Sequence, residues 1–169
     1  RTRVAEFGIA CESCHGPAAS HVAANRSIAR RYALHLSNER DPTIVDPRDL
    51  PHDRSAEVCG QCHSTSIWVD QPALDRWMEH GFPYRPGDRL ADTKHIVLGR
   101  YESNDREVQK ALSVQPEFLR HTFWPDGMNR VSGREYNMLL ETPCFTRGEL
   151  SCLSCHEMHQ DPGDPRPVE

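Results

Sequence analysis

The chain has 169 residues and a net charge of −5, and with Gly counted in place of Tyr about 40% of it is hydrophobic. That share is below the roughly 45–50% usual for soluble globular domains, so the chain is either partly disordered or filled in its interior by something other than side chains. Its 20 basic residues are scattered and its apolar runs are short, which argues against nucleic acid as a partner and against a membrane-spanning segment.

The pattern along the chain predicts a mainly α fold with long irregular loops and little or no β structure. Ser20 is a candidate N-cap for a helix of about fifteen residues. A helix over 70–80 has Pro72 near its start and Gly81 after its end. Shorter helices are predicted around 55–63, 105–112, 116–122, 133–141 and the cysteines near 152, with a strand at 96–98. Residues 1–160 are predicted to form one domain, and the proline-rich tail 161–169 to be extended and either mobile or laid along a partner.

Six of the seven cysteines fall in three copies of the pattern C-x-x-C-H. The first motif is Cys11, Cys14 and His15; the second is Cys59, Cys62 and His63; the third is Cys152, Cys155 and His156. This pattern is the attachment signature of c-type haem. Two thiols on one helical turn can each bond a haem vinyl group, and the adjacent His then faces the iron as its proximal ligand. The sequence therefore predicts three covalently attached haems c.

A single C-x-x-C pair is also compatible with a zinc site, a redox dithiol or chance. Zinc pairs do not require an adjacent His and tend to lie close together, whereas about ninety residues separate the second and third pairs. A thioredoxin-like dithiol lies in a βαβ setting, and no βαβ pattern is visible. Three copies, each followed by His, favour haem. Covalent attachment is an extracytoplasmic process, which predicts a periplasmic or extracellular protein.

Cys144 lies outside the three motifs. We expect it to be a free buried thiol or to pair with a cysteine of another chain or segment.

A low-spin haem iron needs a second axial ligand, generally His or Met, and seven further histidines are available. His21 follows a Gly16-Pro17 turn and is better placed to reach a neighbouring iron than its own. His159, three residues after His156, is predicted to face away from the third iron and to serve a neighbour as well.

The remaining distal position has three candidates, His80, His95 and His121. His35 and His52 are expected at the surface. Met158 can ligate iron in principle, but its His neighbours are stronger candidates.

Residues 7–17 (FGIACESCHGP), followed by His21, resemble a segment of the multihaem c-type cytochromes related to the hydroxylamine-oxidation electron carriers. Residues 58–64 (VCGQCHS), 151–159 (SCLSCHEMH) and 124–127 (WPDG) are similar to later stretches of that family. The resemblance implies a fold organised around haems, ligation of neighbouring irons by His21 and, by analogy, His159, and further haem motifs upstream in a longer protein. The chain departs from the family at Ala18, where Gly is frequent, and at Trp124, where relatives can have His. The third distal ligand therefore stays open.

These features predict electron transfer through three mostly bis-His haems between extracytoplasmic redox proteins, including further haem-bearing chains or segments, with no catalytic residue. The alternative is an oxidoreductase that acts on a small nitrogen or sulfur compound at a haem with an open axial position. Some such enzymes have Lys in place of the motif His, and all three motifs here end in His, which favours the carrier. A third hypothesis, a subunit of a larger assembly, rests on the loop-rich chain and the proline tail.

Overall fold

The computed structural model describes residues 8–37, 39–101 and 104–159, and the predicted tail 161–169 lies outside them. About half of the described residues are helical, which confirms the mainly α prediction. The α-helices described are α1 (Cys11–His15), α2 (Ala19–Ala24), α3 (Ile28–Ser37), α4 (His52–His63), α5 (Gln71–His80), α6 (Arg106–Val114), α7 (Phe118–Thr122), α8 (Glu135–Leu139) and α9 (Pro143–Thr146). Short 3-10 turns occur at Pro47–Asp49, Leu90–Asp92 and Cys152–Ser154.

The single helix predicted after Ser20 is divided into α2 and α3. The Asn25 side chain donates a hydrogen bond to the His21 carbonyl at 3.0 Å, at the point where α2 ends. Asn competes in this way with the backbone bonds that would continue a helix. The Ser27 hydroxyl then accepts from the Arg30 amide at 3.3 Å at the start of α3. Local side-chain bonds therefore replace one long helix by two short ones.

A two-stranded antiparallel sheet joins β1 (Ser66–Trp68) to β2 (Lys94–Ile96), with Ser66 opposite Ile96 and Trp68 opposite Lys94. The predicted strand at 96–98 overlaps β2 only at its first residue. The sheet is the only one among the described residues, so little β structure is present, as expected.

The hydrophobic core is small and lies in the middle of the chain. One buried cluster comprises Ala56, Tyr84, Leu90 and Tyr136, and a second comprises Val97, Val108, Leu119 and Phe123. Helix α4 lies at the centre, where it packs against α1, α8 and all three 3-10 turns.

The first three helices contribute nothing to this core, because none of α1, α2 and α3 contains a buried residue. Large apolar side chains are exposed along that part of the chain, among them Ile9 at 78%. Within the described ranges, no helix has the length and apolar character needed to cross a membrane.

Candidate functional site

Each C-x-x-C-H motif lies on a helical turn. The first motif forms α1 and the second forms the last turn of α4. The third lies on the 3-10 turn Cys152–Ser154, which is extended by a bond of 3.0 Å from the His156 amide to the Cys152 carbonyl. All three copies therefore have the local backbone form that places two thiols and an imidazole on one turn.

The three motifs converge around the end of α4. Gln61, between the two cysteines of the second motif, is buried, and its Nε2 donates to the Ser13 carbonyl of the first motif at 2.8 Å and to the Val58 carbonyl at 2.7 Å. The turn of the third motif packs against α4, and Cys59 of the second motif lines one cavity together with His156 of the third. The second motif thus contacts both of the others.

The surroundings of the thiols shift their pKa values. The neighbouring thiols of Cys59 and Cys152 interact, which raises the pKa of Cys59 and lowers that of Cys152, because the thiol that keeps its proton stabilises the other as a thiolate. Burial raises the pKa of Cys14, and the nearby Cys62 and Cys11 add to the effect. No disulfide bond joins any of the seven cysteines.

Cys144 is exposed on α9, so the expectation that its thiol is buried is wrong. Pro143 at the start of this four-residue helix and residues 146–149 at and after its end are exposed as well, so the helix lies at the surface.

His15 is oriented by Val45. Its Nδ1 donates to the Val45 carbonyl at 2.7 Å, and the Val45 amide donates to the His15 carbonyl at 3.1 Å. A hydrogen bond at Nδ1 fixes the ring and leaves Nε2 as the metal-binding nitrogen, which is the arrangement typical of ligating histidines. His63 has a longer contact of the same kind, 3.4 Å from Nδ1 to Glu135 Oε2. The side chain of His156 has no hydrogen-bond partner among the described residues.

His21 is oriented by a carboxylate. Its Nδ1 lies 3.2 Å from Asp41 Oδ2, and Asp41 also accepts bonds from Thr43, Asn25 and Arg30. The pKa of Asp41 is held well below its usual range, chiefly by the Thr43 side-chain bond, then by Asn25, with help from the Arg30 charge. Asn25 Nδ2 at 3.1 Å and Thr43 Oγ1 at 3.4 Å also lie against the His21 Nδ1, so the ring is held through Nδ1 and its Nε2 remains on the other side of the ring for a metal.

His159 lies beside His15. Their ring centres are 5.7 Å apart and the ring planes are inclined by 57°. Both rings line a cavity of about 620 Å³, together with Cys11 and Cys14 of the first motif, Cys59 of the second and His156 of the third. We call this the first-motif cavity. Its volume is within the range of cofactor and ligand sites in proteins.

The other distal candidates do not line the first-motif cavity. The Nε2 of His95 already has a partner, because it lies 2.8 Å from Asp105 Oδ2. His80 is exposed with its Nε2 3.6 Å from Glu79, and His121 is exposed in the last turn of α7.

Of the two histidines expected at the surface, His35 is exposed. His52 is instead half-buried, because its ring packs edge-on against Phe145 and its Nε2 lies 3.2 Å from the Phe145 carbonyl.

Sequence reasoning missed the groups that orient these rings. The Val45 carbonyl is a backbone atom thirty residues from His15 and has no sequence signal. Asp41 stands before Pro42 and was interpretable only as part of a turn. Gln61 occupies a variable position within its motif, and only its burial shows that it joins two motifs.

Comparisons of this chain with protein-family models, with curated proteins and with solved structures found no match. The interpretation of the site therefore rests on its residues. In the part of the chain that the structure describes, no group of three or more His, Cys, Asp or Glu side chains is arranged to hold a bare metal ion. Haem iron is a different case, because the macrocycle supplies most of its ligands and the protein only one or two.

The residues around the first motif are compatible with a c-type haem. Two thiols on one turn border the cavity, the His15 Nε2 is not used by the Val45 bond, and the apolar side chains of Ile9, Val58 and Leu153 are part of the lining. This combination of thiols, a held imidazole and apolar surface matches what a covalently attached macrocycle requires.

Proposed function

We propose that this chain is an extracytoplasmic electron-transfer module with three covalently attached c-type haems, and that it is a multihaem cytochrome of the kind its motifs resemble. Its partners would be redox proteins and further haem-bearing chains or segments. The cysteines of each motif would hold one macrocycle, and His15, His63 and His156 would be the proximal ligands. A bound haem supplies an iron that accepts and releases one electron.

The observation that carries the proposal is the convergence of the three motifs. Gln61 bonds the first motif to the second, and the turn of the third motif packs against the helix that carries the second. Macrocycles attached to turns that touch one another would be neighbours, which electron passage from one haem to the next requires. The ninety residues between the second and third motifs return the chain to the same place.

The thin core supports the same proposal. Two small clusters of buried residues stabilise the middle of the chain, while α1, α2 and α3 expose their apolar side chains. Large apolar macrocycles would provide the buried surface that side chains do not.

The test is to express the chain with a secretion signal in a host that matures c-type cytochromes and to count covalent haems by intact mass. We expect three in the parent chain and two in each of C11S/C14S, C59S/C62S and C152S/C155S. C144S is the matched control and should keep three. A chain without covalent haem, or one that binds zinc through these cysteines, would refute the proposal.

Spectroscopy separates the carrier from the enzyme. Low-spin α and β bands that carbon monoxide leaves unchanged would agree with the carrier, as would reversible reduction by small redox proteins. A haem that binds carbon monoxide in the parent chain and turns over nitrite, hydroxylamine or tetrathionate would replace the carrier by the oxidoreductase.

A further inference from the structure

We propose that His159, which follows the third motif, is the distal axial ligand of the haem attached at Cys11 and Cys14, on the face opposite His15. This inference rests on the proposed function and specifies one ligand pair within it. In this arrangement the first motif and the segment after the third motif would each provide one ligand to the same iron.

The spacing of the two rings fits one metal between them. Metal–imidazole bonds of about 2 Å place the centres of two imidazoles on opposite sides of one metal roughly 6 Å apart. The centres of the His15 and His159 rings are 5.7 Å apart. Their inclination of 57° is not that of stacked rings, and axial imidazoles can adopt any rotation about the axis through the metal.

The chemistry of the two rings agrees with this spacing. The Val45 bond uses the His15 Nδ1 and leaves Nε2 for a metal. The His159 ring has no hydrogen-bond partner among the described residues, so neither of its nitrogens is committed there. The two rings share the first-motif cavity with the thiols of Cys11 and Cys14, which are the groups that would fix the macrocycle at this place.

The competing ligands are less well placed. Met158 lines the same cavity, but the side chain that lies beside the His15 ring is the imidazole of His159. His21 is oriented by Asp41 and does not line the cavity, so it is available to a different iron. The charged groups that face the cavity are Asp46, Arg48 and Glu157, and none of them replaces an imidazole as a low-spin haem ligand.

The pairing has a consequence for electron transfer. His156 is the proximal residue of the third motif, and a chain of three residues spans at most about 10 Å. A single short segment would then provide one ligand to the first iron and one to the third. These two irons would be neighbours, and a change of ligand at one would alter the reduction potential of the other.

The test compares H159A with H35A, a substitution of an exposed histidine outside the cavity, in the mature, haem-loaded chain. Both variants are expected to keep three covalent haems by intact mass. H159A should gain one iron that is high-spin by optical and electron paramagnetic resonance spectra and that binds carbon monoxide, and added imidazole should return it to low spin. H35A should match the parent chain.

A second background identifies which haem is affected. In C11S/C14S the first haem is absent, so adding H159A should create no new carbon-monoxide-binding iron. A new high-spin iron in that background would assign His159 to another haem and overturn the proposal. An H159A spectrum identical to that of the parent would overturn it as well.

A further variant covers the case in which H159A does not fold. H159M retains an axial ligand of a different kind, and one haem of the three should then show a raised reduction potential; no shift would overturn the pairing. These outcomes can be told apart from failure of the proposed function, because that failure would appear as a parent chain that carries no haem. Three haems in the parent with no response to changes at His159 would remove only the ligand pair.

Discussion

Asn137 is a buried polar residue whose removal should destabilise the fold. It is 1% exposed on α8. Its Oδ1 accepts from the Thr65 amide at 2.6 Å, and its Nδ2 donates to the carbonyls of Thr65 at 3.0 Å and Val97 at 2.5 Å. Thr65 precedes β1 and Val97 follows β2. One side chain therefore holds the open end of the sheet to α8.

Asn137→Ala leaves the Thr65 amide and the Val97 carbonyl without this partner, while the Thr65 carbonyl keeps its 2.9 Å bond from the Val97 amide. Each buried polar group left unpaired costs about 1–3 kcal/mol. Two such groups, with a small cavity added, give an expected loss of roughly 3–5 kcal/mol in the free energy of unfolding. Typical domains have about 5–15 kcal/mol in total, so the variant should be close to its folding limit.

The measurement is urea unfolding followed by far-ultraviolet circular dichroism. Asn104→Ala, at an exposed position, is the control and should stay within about 0.5 kcal/mol of the parent. Asn137→Asp has the same size but faces two carbonyl oxygens with a carboxylate, so it should be at least as destabilising as the alanine variant at pH 7. A loss below about 1 kcal/mol for Asn137→Ala would refute the argument that its bonds are buried and irreplaceable.

Two further substitutions test the core. A Cβ at Gly60 would lie 2.8 Å from ring atoms of Tyr136. Gly60→Ala should therefore lose about 1–3 kcal/mol in the free energy of unfolding through overpacking, against a gain of roughly 1 kcal/mol from the helix propensity of alanine. The urea midpoint should fall, and an unchanged midpoint would contradict this contact. The Tyr84 hydroxyl is buried with no hydrogen-bond partner among the described residues, so Tyr84→Phe should be neutral or stabilising at pH 7. Burial also raises the pKa of Tyr84, so the folded chain keeps a proton that the unfolded chain loses above about pH 10, and stability falls as pH rises beyond that point. Tyr84→Phe should reduce this alkaline loss in pH-dependent melting, whereas Tyr32→Phe, at a position 64% exposed, should not.

Local chemistry allowed some elements to be predicted from sequence. The helix at 70–80 matches α5 because all its determinants are near each other along the chain. Asp70 caps it through a 2.7 Å bond from the Ala73 amide, Pro72 occupies its first turn, and Gly81 ends it at φ +81°. The motifs lie on helical turns for a similar reason, since the C-x-x-C-H spacing is itself that of one turn.

Contacts between distant segments could not be predicted in this way. The position of His159 depends on how the 3-10 turn at Cys152–Ser154 packs on α4, far away in sequence. Spacing alone indicated that His159 serves a neighbour, and it could not indicate which one. The orientation of His15 by the Val45 carbonyl is equally non-local, because a backbone acceptor exists at every residue and only the fold selects one.

The uneven distribution of the core leads to a last prediction about the first motif. The described chain before residue 47 contributes no residue to either buried cluster, and it joins the rest through few bonds, such as the one from Gln61 to the Ser13 carbonyl. A macrocycle held by Cys11 and Cys14 would add apolar contact where Ile9 is otherwise 78% exposed. C11S/C14S should therefore lose amide hydrogen-exchange protection in residues 8–46, while the region between Ala56 and Tyr136 keeps it. C144S serves as the control with unchanged protection. Equal loss across the whole chain would show that the first motif supports the core itself, and no loss at all would show that its haem contributes nothing to the order of this segment.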